Sequence, residues 1–431
     1  LHTAGLNISF EGVITEPALI AMTVVTGLHV LVQIYSIGYL EMDWGWPRFF
    51  GSLSFFEAGL CALVLTDSLF FSYVILELLT LGTYLIVGTW YNQPLVVKGA
   101  RDAFLTKRIG DLILLAGVIA LLPLTGTWNF HGLQGWAADI TNNGEALPAG
   151  FQLILLALIA GPMGKCAQIP LHLWLDEAME SPLPSTVLRN SVVVLGGAWV
   201  LLRLEPLIAL SPLVQGVLVV VGGTTALVAA LIALGQIDVK RAMSFLVSSW
   251  LALLFVAVGL GGIGVADHLL LVYPLPMALL LMAVGTIVIS NVTQDLTQLG
   301  GLWSRRPLVG IAFLVGAAGL MGLPPFGGLS DPGSVLWAVL AAELWHHAGF
   351  YMVVFLANLA IRDRALEELS RRTGVTVADL EDWNLMYGFR QKKARWKEQF
   401  KTADEDAAAD KMADLIQEYG SAEAVKDHLR N

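Results

Sequence analysis

The 431-residue chain is 56% hydrophobic and only 14% charged, well below the roughly 25% charged residues of soluble domains, so it reads as a bilayer protein. Its net charge is −10 and its two cysteines, Cys61 and Cys166, both sit in apolar stretches, which gives no case for nucleic-acid binding, a disulfide framework or a cysteine-held metal. The charges are unevenly placed: residues 1–361 hold 12 of the 25 Lys and Arg residues and the last 70 hold 13. A transmembrane domain over 1–361 and a charged soluble tail over 362–431 follow. The opening HTAGLNISFEG lacks the basic start and apolar core of a signal peptide, so the numbering is expected to begin inside a longer protein.

A helix crosses the hydrocarbon core with about 20 mostly apolar residues. Such segments predict about eleven spans in chain order, at about 16–38, 48–66, 68–91, 103–124, 150–173, 184–204, 212–235, 241–263, 266–290, 306–323 and 333–361. The fold class is therefore all-α, a multi-span helix bundle. Lys and Arg favour cytoplasmic loops, and the loops after odd-numbered spans carry Arg48, Lys98 with Arg101, Lys240 with Arg241, and Arg305 with Arg306. The loops after even-numbered spans carry almost none, as in residues 125–150. The tail, beginning at Arg362 and Arg364, is expected in the cytoplasm.

Two spans should be irregular. Span five carries Gly161, Pro162, Gly164 and Pro170, which weaken or break a helix, and broken helices at membrane depth line wet cavities or lie buried in protein. Span nine carries Pro274 and Pro276 and should kink. In the tail, Thr402 with Glu405 and Thr376 with Asp379 resemble capping-box starts of short helices. The basic run of residues 390–401 fits either a solvated helical face or a lipid surface.

Ionisable groups inside spans are costly and mark candidate functional positions. Here they are Glu57, Glu77, Arg108, Asp111, Lys165, His172 and Arg189. Glu77 lies mid-span, out of reach of the interface, and Lys165 in the broken fifth span is its partner by charge. Such a pair can trade a proton through water, and a static pair that fixes helix packing is the alternative. Arg108 and Asp111, three apart on one helical face, suit a local ion pair as well as a transport role. His172 reads equally as a helix-end histidine, Glu57 as a packing residue, and Asp176, Glu177 and Glu180 as a solvated loop or a cation-attracting mouth.

Five stretches carry a resemblance: IYSIGYLEMDWGWPRFFGSLSFFEA, LELLTLGTYLIVGTWY, ARDAFLTKRIGDLILLAG, GPMGKCAQIPLHLWLDEAMESPLPST and QIDVKRAMSF. In this order they resemble the antiporter-like membrane subunit of respiratory complex I called NuoL or NdhF, a family shared with multisubunit Na+/H+ antiporters. The resemblance covers about residues 10–330. It implies an antiporter-like helix bundle over 1–361, lacking the family's N-terminal spans. By motif, Glu77 matches the family's membrane glutamate and Lys165 the lysine of its broken helix. Asp111 and Arg108 match a charged pair that couples neighbouring units, while Lys240 lies in the family's Asp-x-Lys-Arg turn, read as structural.

Within the family, Arg189, Asn190 and Ser191 stand where ordinary members carry an Ile-His-Ala-like segment. That form resembles the cyanobacterial NdhF branch of carbon-dioxide-uptake complexes. The resemblance implies a proton-translocating subunit of a NAD(P)H- or ferredoxin-plastoquinone oxidoreductase in the thylakoid membrane, with Glu77, Lys165, Arg189, His172, Asp111 and Arg108 on its proton pathway. It implies no catalytic residue, cofactor or metal on this chain; Fe-S clusters and plastoquinone belong to other subunits. Its expected partners are an NdhD-like neighbour, other membrane subunits, lipid, and a carbonic-anhydrase-like Cup subunit that hydrates carbon dioxide. A Na+/H+ antiporter subunit and a transport-inactive assembly subunit are the alternatives.

Departures from the family pattern accompany the match. Where the family reads Thr-His-Ala-x-x-Lys-Ala-Leu-Leu, this chain has Val272 to Leu279 with neither the histidine nor the lysine. Where it reads Ser-Lys-Asp, this chain has Ser330, Asp331 and Pro332. The tail resembles nothing in the family.

Overall fold

The computed structural model describes residues 11–321 apart from 42, 145, 300–302 and 304–305, together with the backbone of His2–Thr3 and Leu6–Asn7. The eleventh predicted span, the tail with its capping boxes, and Ser330 to Pro332 lie outside the described residues. Two compact units are present: one runs to residue 236 and resumes over 240–282 and from 315, and the other holds 237–239 and 283–314.

Ten helical segments follow the predicted spans. They are α1 (Glu16–Tyr39), α2 (Trp46–Leu65), α3 (Leu69–Val87), α4 (Pro94–Thr125), α6 (Phe151–Lys165), α8 (Leu183–Leu188) running through a π-turn at Arg189–Val193 into α9 (Leu195–Arg203), α11 (Pro212–Leu234), α12 (Val239–Gly259), α13 (Ile263–Val272) continuing as α14 (Pro274–Asn291), and α15 (Pro307–Leu320). Short α7 (Leu173–Glu177) and α10 (Glu205–Ile208) lie between them. Among the described residues, eight segments are long and apolar enough to cross a membrane, and α6 and α15 are shorter apolar helices. A two-stranded antiparallel ribbon pairs His2 with Asn7 and Thr3 with Leu6.

Local chemistry sets these boundaries. Thr15, Ser68 and Ser211 cap α1, α3 and α11, each hydroxyl accepting the backbone N–H three residues on, and so satisfy donors that a helix start leaves open. Helix α4 ends on Gly126 at φ +70°, a left-handed stop that glycine takes without strain. At 32 residues, α4 is about 48 Å long and overruns a hydrocarbon core of about 30 Å. That is why its start precedes the predicted residue 103: the turns bearing Lys98 and Arg101 are helical but too polar to read as membrane.

The kink expected in span nine falls at Tyr273, between α13 and α14. One element was not expected: α5 (Phe130–Asn143) occupies the predicted loop 125–150. It buries Phe130, Leu133 and Ala137 along one face and is polar elsewhere, a surface helix below span length.

The α8–α9 span and α12 are each buried over 89% of their most apolar window, against 28% for α1. The first two are therefore central, and α1, with Val30, Leu31, Ile34 and Ile37 exposed, presents an apolar face that suits lipid. Contacts between loops provide a check on span parity that does not depend on charge. Arg203, ending span six, bonds Asp67 and the Thr66 carbonyl, at the end of span two, at 2.5 and 2.9 Å, and Phe130 N, after span four, donates to the Asp67 carbonyl at 2.8 Å. On the other set, Arg241, after span seven, bonds Asp176, after span five, at 2.6 Å, and Trp90 Nε1, ending span three, donates to Asp43, after span one, at 2.7 Å. Even loops meet even loops, and odd meet odd.

Single cysteines at exposed Asn92 and Asn142 should therefore react with an impermeant maleimide from opposite faces of sealed vesicles. Labelling of both from one face contradicts the assigned parity.

Candidate functional site

Helix α6 stops inside the protein. Pro162 and the glycines beside it weaken the helix, the chain turns after Lys165, and α7 resumes at Leu173. The polar groups of this break find partners. Gln168 Nε2 donates to the carbonyls of Cys166 and Ser248 at 2.9 and 3.3 Å, and Thr225 Oγ1 accepts from Ile169 N at 3.0 Å. Trp174 Nε1 donates to the Gly164 carbonyl at 2.6 Å. A break in apolar surroundings survives on such replacements. Lys165 occupies the last turn of α6, where a cation meets the negative end of the helix dipole.

Helix α4 packs closely along α6. A Cβ at Gly110 would stand 3.0 Å from the Ala160 carbonyl, and one at Gly161 would stand 2.4 Å from Leu114 Cδ2. Small residues allow this approach, and they deliver Asp111, next to Gly110, to Lys165. Lys165 Nζ lies 2.6 and 2.7 Å from the two Asp111 oxygens. It also donates to the Leu76 carbonyl at 3.2 Å and to Thr80 Oγ1 of α3. Thr80 Oγ1 in turn lies 3.1 Å from Asp111 Oδ2. Side-chain exposure is 4% for Lys165 and 2% for Asp111, so this is a desolvated ion pair with hydrogen bonds on three sides.

The pairing differs from the expected one. Glu77 bonds Arg108, not Lys165, and Asp111 bonds Lys165, not Arg108. Helix α3 explains the exchange: Leu76 and Thr80 face Lys165 while Glu77 turns to the more open side, with 16% of its side chain exposed. There Arg108, its guanidinium also 4.8 Å from the centre of the Phe104 ring, reaches it.

Three more buried cations surround this centre. Lys107 is 2% exposed; its Nζ donates to Thr83 Oγ1 at 3.0 Å and stands 3.7 Å above the Trp174 ring. Arg189, fully buried in the π-turn, donates to Ser181 Oγ at 3.0 Å and Thr186 Oγ1 at 3.3 Å. No carboxylate pairs with either among the described residues. Lys240 donates to the carbonyls of Met179 and of Ser181, the latter at 3.0 Å, and Arg241 holds Asp176 and Glu180. Arg189, Lys240 and Arg241 thus grip one segment, 176–181, and two carboxylates considered as a mouth or a solvated loop are occupied by Arg241.

Where the family's histidine is missing, Tyr273 is fully buried; its hydroxyl donates to the Asn190 carbonyl at 2.5 Å and its ring lies 4.6 Å from that of Trp250. His172 stands apart: it lies in the break, 6.2 Å from the Phe245 ring, with its Nδ1 buried. Glu57 approaches His29 at 3.2 Å. Among the described residues no group of three or more metal-ligating side chains forms. Sequence reasoning missed Lys107, although it stands beside Arg108 inside a span; one charge of a doublet was weighed and its neighbour was not.

The chain is similar to known membrane proteins. The family described as NADH:quinone oxidoreductase/Mrp antiporter, transmembrane, matches residues 66–358, and that described as NADH-ubiquinone oxidoreductase (complex I), chain 5 N-terminus, matches residues 1–50. NAD(P)H-quinone oxidoreductase subunit 5, organellar chromatophore 2, of Paulinella chromatophora is 47% identical over 322 residues, 75% of this chain and 51% of that protein. The chloroplastic subunit 5 of Zygnema circumcarinatum is 34% identical over 346 residues, 78% of this chain and 49% of that protein. The chain spans about half the length of these curated relatives. Among solved structures, a chain of the Mrp complex from Dietzia sp. DQ12-45-1b superposes with a TM-score of 0.69 at 25% identity, over 80% of this chain and 39% of that one.

Removing one partner of a buried ion pair strands the other charge, at a cost of about 3–5 kcal/mol. Asp111→Leu and Lys165→Met should each destabilise the protein by about that much. The double variant should lose clearly less than the sum, as read from thermal denaturation in detergent.

Proposed function

Because this chain belongs to the family of NADH:quinone oxidoreductase and Mrp antiporter membrane subunits, we propose that it is the proton-translocating membrane subunit of a NAD(P)H-quinone oxidoreductase complex. The observation that carries this reading is the Asp111–Lys165 pair: a desolvated carboxylate and ammonium, linked through Thr80, at the break of α6. Such a pair holds a proton at membrane depth and gives it up when a neighbouring charge changes, which is the elementary step of a pump. Glu77 with Arg108, on the more open side of α3, supplies the exchange partner. Electron transfer, with its Fe-S clusters and plastoquinone, takes place on other subunits, and an NdhD-like subunit is the membrane neighbour.

The finer reading is the carbon-dioxide-hydrating form of such a complex, in a thylakoid membrane with the tail on the cytoplasmic side. Two features support it: the Arg189–Asn190–Ser191 form of span six, and the burial of Arg189 among hydroxyls with no carboxylate among the described residues. A Cup subunit docked on the chain would release a proton at each hydration; the fixed charge of buried Arg189 orients the Ser181 and Thr186 hydroxyls beside the route, and Lys165 passes the proton towards Glu77. His172, at the same break, is the remaining candidate for this route. The resemblance in fold to a chain of an Mrp complex favours a second reading, a cation/proton antiporter subunit.

Asp111→Asn in the assembled complex should abolish proton translocation while quinone reduction persists; unchanged translocation contradicts the main reading. Arg189→Ala should lower light-driven carbon dioxide uptake with assembly intact, and normal uptake contradicts the finer one. Affinity purification should recover quinone-reducing subunits and a Cup protein. Mrp-type partners, with Na+-dependent rescue of an antiporter-deficient host, would favour the second reading.

A further inference from the structure

Among the described residues, the buried charges around Lys165 do not balance. Glu77 is taken by Arg108, and both oxygens of Asp111 are engaged by Lys165. Lys107 and Arg189 are left with hydroxyl, ring and sulfur partners. Lys107 lies one helical turn before Asp111 on α4, so it shares the face of α4 that meets Lys165. Surplus positive charge in a low-dielectric interior is expensive, and moving one proton off the group relieves it.

We infer that Lys107 is a second proton-exchanging lysine, joined to Lys165 through the hydroxyls of Thr80 and Thr83; the inference rests on the proton-translocating reading above. The hydroxyls make the link. Lys165 Nζ donates to Thr80 Oγ1, and Lys107 Nζ donates to Thr83 Oγ1 at 3.0 Å. Thr80 and Thr83 are three apart on α3, so they share a face, with Cβ atoms about 5–6 Å apart; each hydroxyl donates to the carbonyl four residues back, of Leu76 or Leu79, and would turn from it to a bridging water for the transfer. In the transfer Lys165 first gives a proton to the Asp111 carboxylate it faces, an N–H bond breaking as an O–H bond forms; an N–H bond then breaks at the Lys107 ammonium and one forms at the Lys165 amine. Each intervening oxygen accepts a proton on one side as it gives its own on the other, and ends unchanged.

The surroundings of Lys107 suit exchange better than fixed packing. Lys107 pairs with no carboxylate among the described residues; held by a single hydroxyl and the face of a ring, it has partners in either charge state. The ring is itself anchored: Trp174 Nε1 donates to the Gly164 carbonyl at 2.6 Å, one residue before Lys165. Both lysines are thus positioned by the end of α6. A purely structural cation at this place needs only its charge, because cation–π attraction acts on Arg as on Lys. A proton carrier needs a group that releases its proton, which Arg does not.

The test uses the assembled complex in sealed vesicles, with protons translocated per electron as the readout and subunit composition as the control. Lys107→Met and Lys107→Arg should both lower the ratio at least several-fold. Thr83→Val should lower it too, while Thr83→Ser should keep it near wild type. A normal ratio in Lys107→Arg or in Lys107→Met overturns the inference. Should the Lys107 variants fail to assemble, Thr83→Val decides, because it adds and removes no charge: a normal ratio there also overturns it. Asp111→Asn in parallel separates the two levels. A normal ratio in that variant sinks the proton-translocating reading itself, whereas loss in Asp111→Asn with a normal ratio in Lys107→Arg sinks Lys107 alone.

Discussion

The structure depends on one desolvated ion pair. Asp111 and Lys165 come from helices that can meet only because Gly110 and Gly161 let α4 and α6 approach, and the pair sits where α6 gives up its backbone hydrogen bonds. Alone, neither charge is tolerable at that depth. Together, with Thr80 and the Leu76 carbonyl, they form a centre that α3, α4 and α6 all help to build. The break in α6 then follows as a requirement: it ends the helix at the lysine, and Gln168, Thr225 and Trp174 take over the polar groups that the missing turn leaves open.

From this centre the polar interior extends in two directions. Towards the more open side lie Glu77 and Arg108; towards the loops after odd-numbered spans lie Lys107, Arg189 and the cations that hold residues 176–181. The π-turn at Arg189–Val193 is a local widening of the helix, of a kind frequent at functional sites, and Tyr273 bonds the Asn190 carbonyl from the kink of span nine. The kinked span, for which the resemblance implies a histidine and a lysine, therefore contributes a phenol hydrogen bond here. Among the described residues, the buried charged groups are concentrated on α4, the end of α6, the π-turn and the start of α12.

Much of this was legible in the sequence. Hydropathy, proline and lysine placement gave the spans, the break and the kink, because a bilayer imposes length and backbone satisfaction on every segment that crosses it. The shared motifs gave the family, which the comparisons bear out, while the carbon-dioxide-uptake branch stays a proposal. Charge alone mispaired Glu77 with Lys165, since helical position, not sign, decides which of two carboxylates a lysine meets, and that position depends on glycines whose partners lie about fifty residues away in the chain. Lys107 was hidden by its neighbour Arg108, and α5 by a polar face that made it look like a loop. Neither signal is visible until packing separates one helix face from another.

The central claim is that the proton crosses the membrane domain through Lys165. It is tested most directly by the number of protons translocated per electron in a complex that carries Lys165→Ala, assembled normally in sealed vesicles. The account predicts that electron transfer continues while the ratio falls to that of a complex lacking this subunit. A ratio equal to wild type would contradict it.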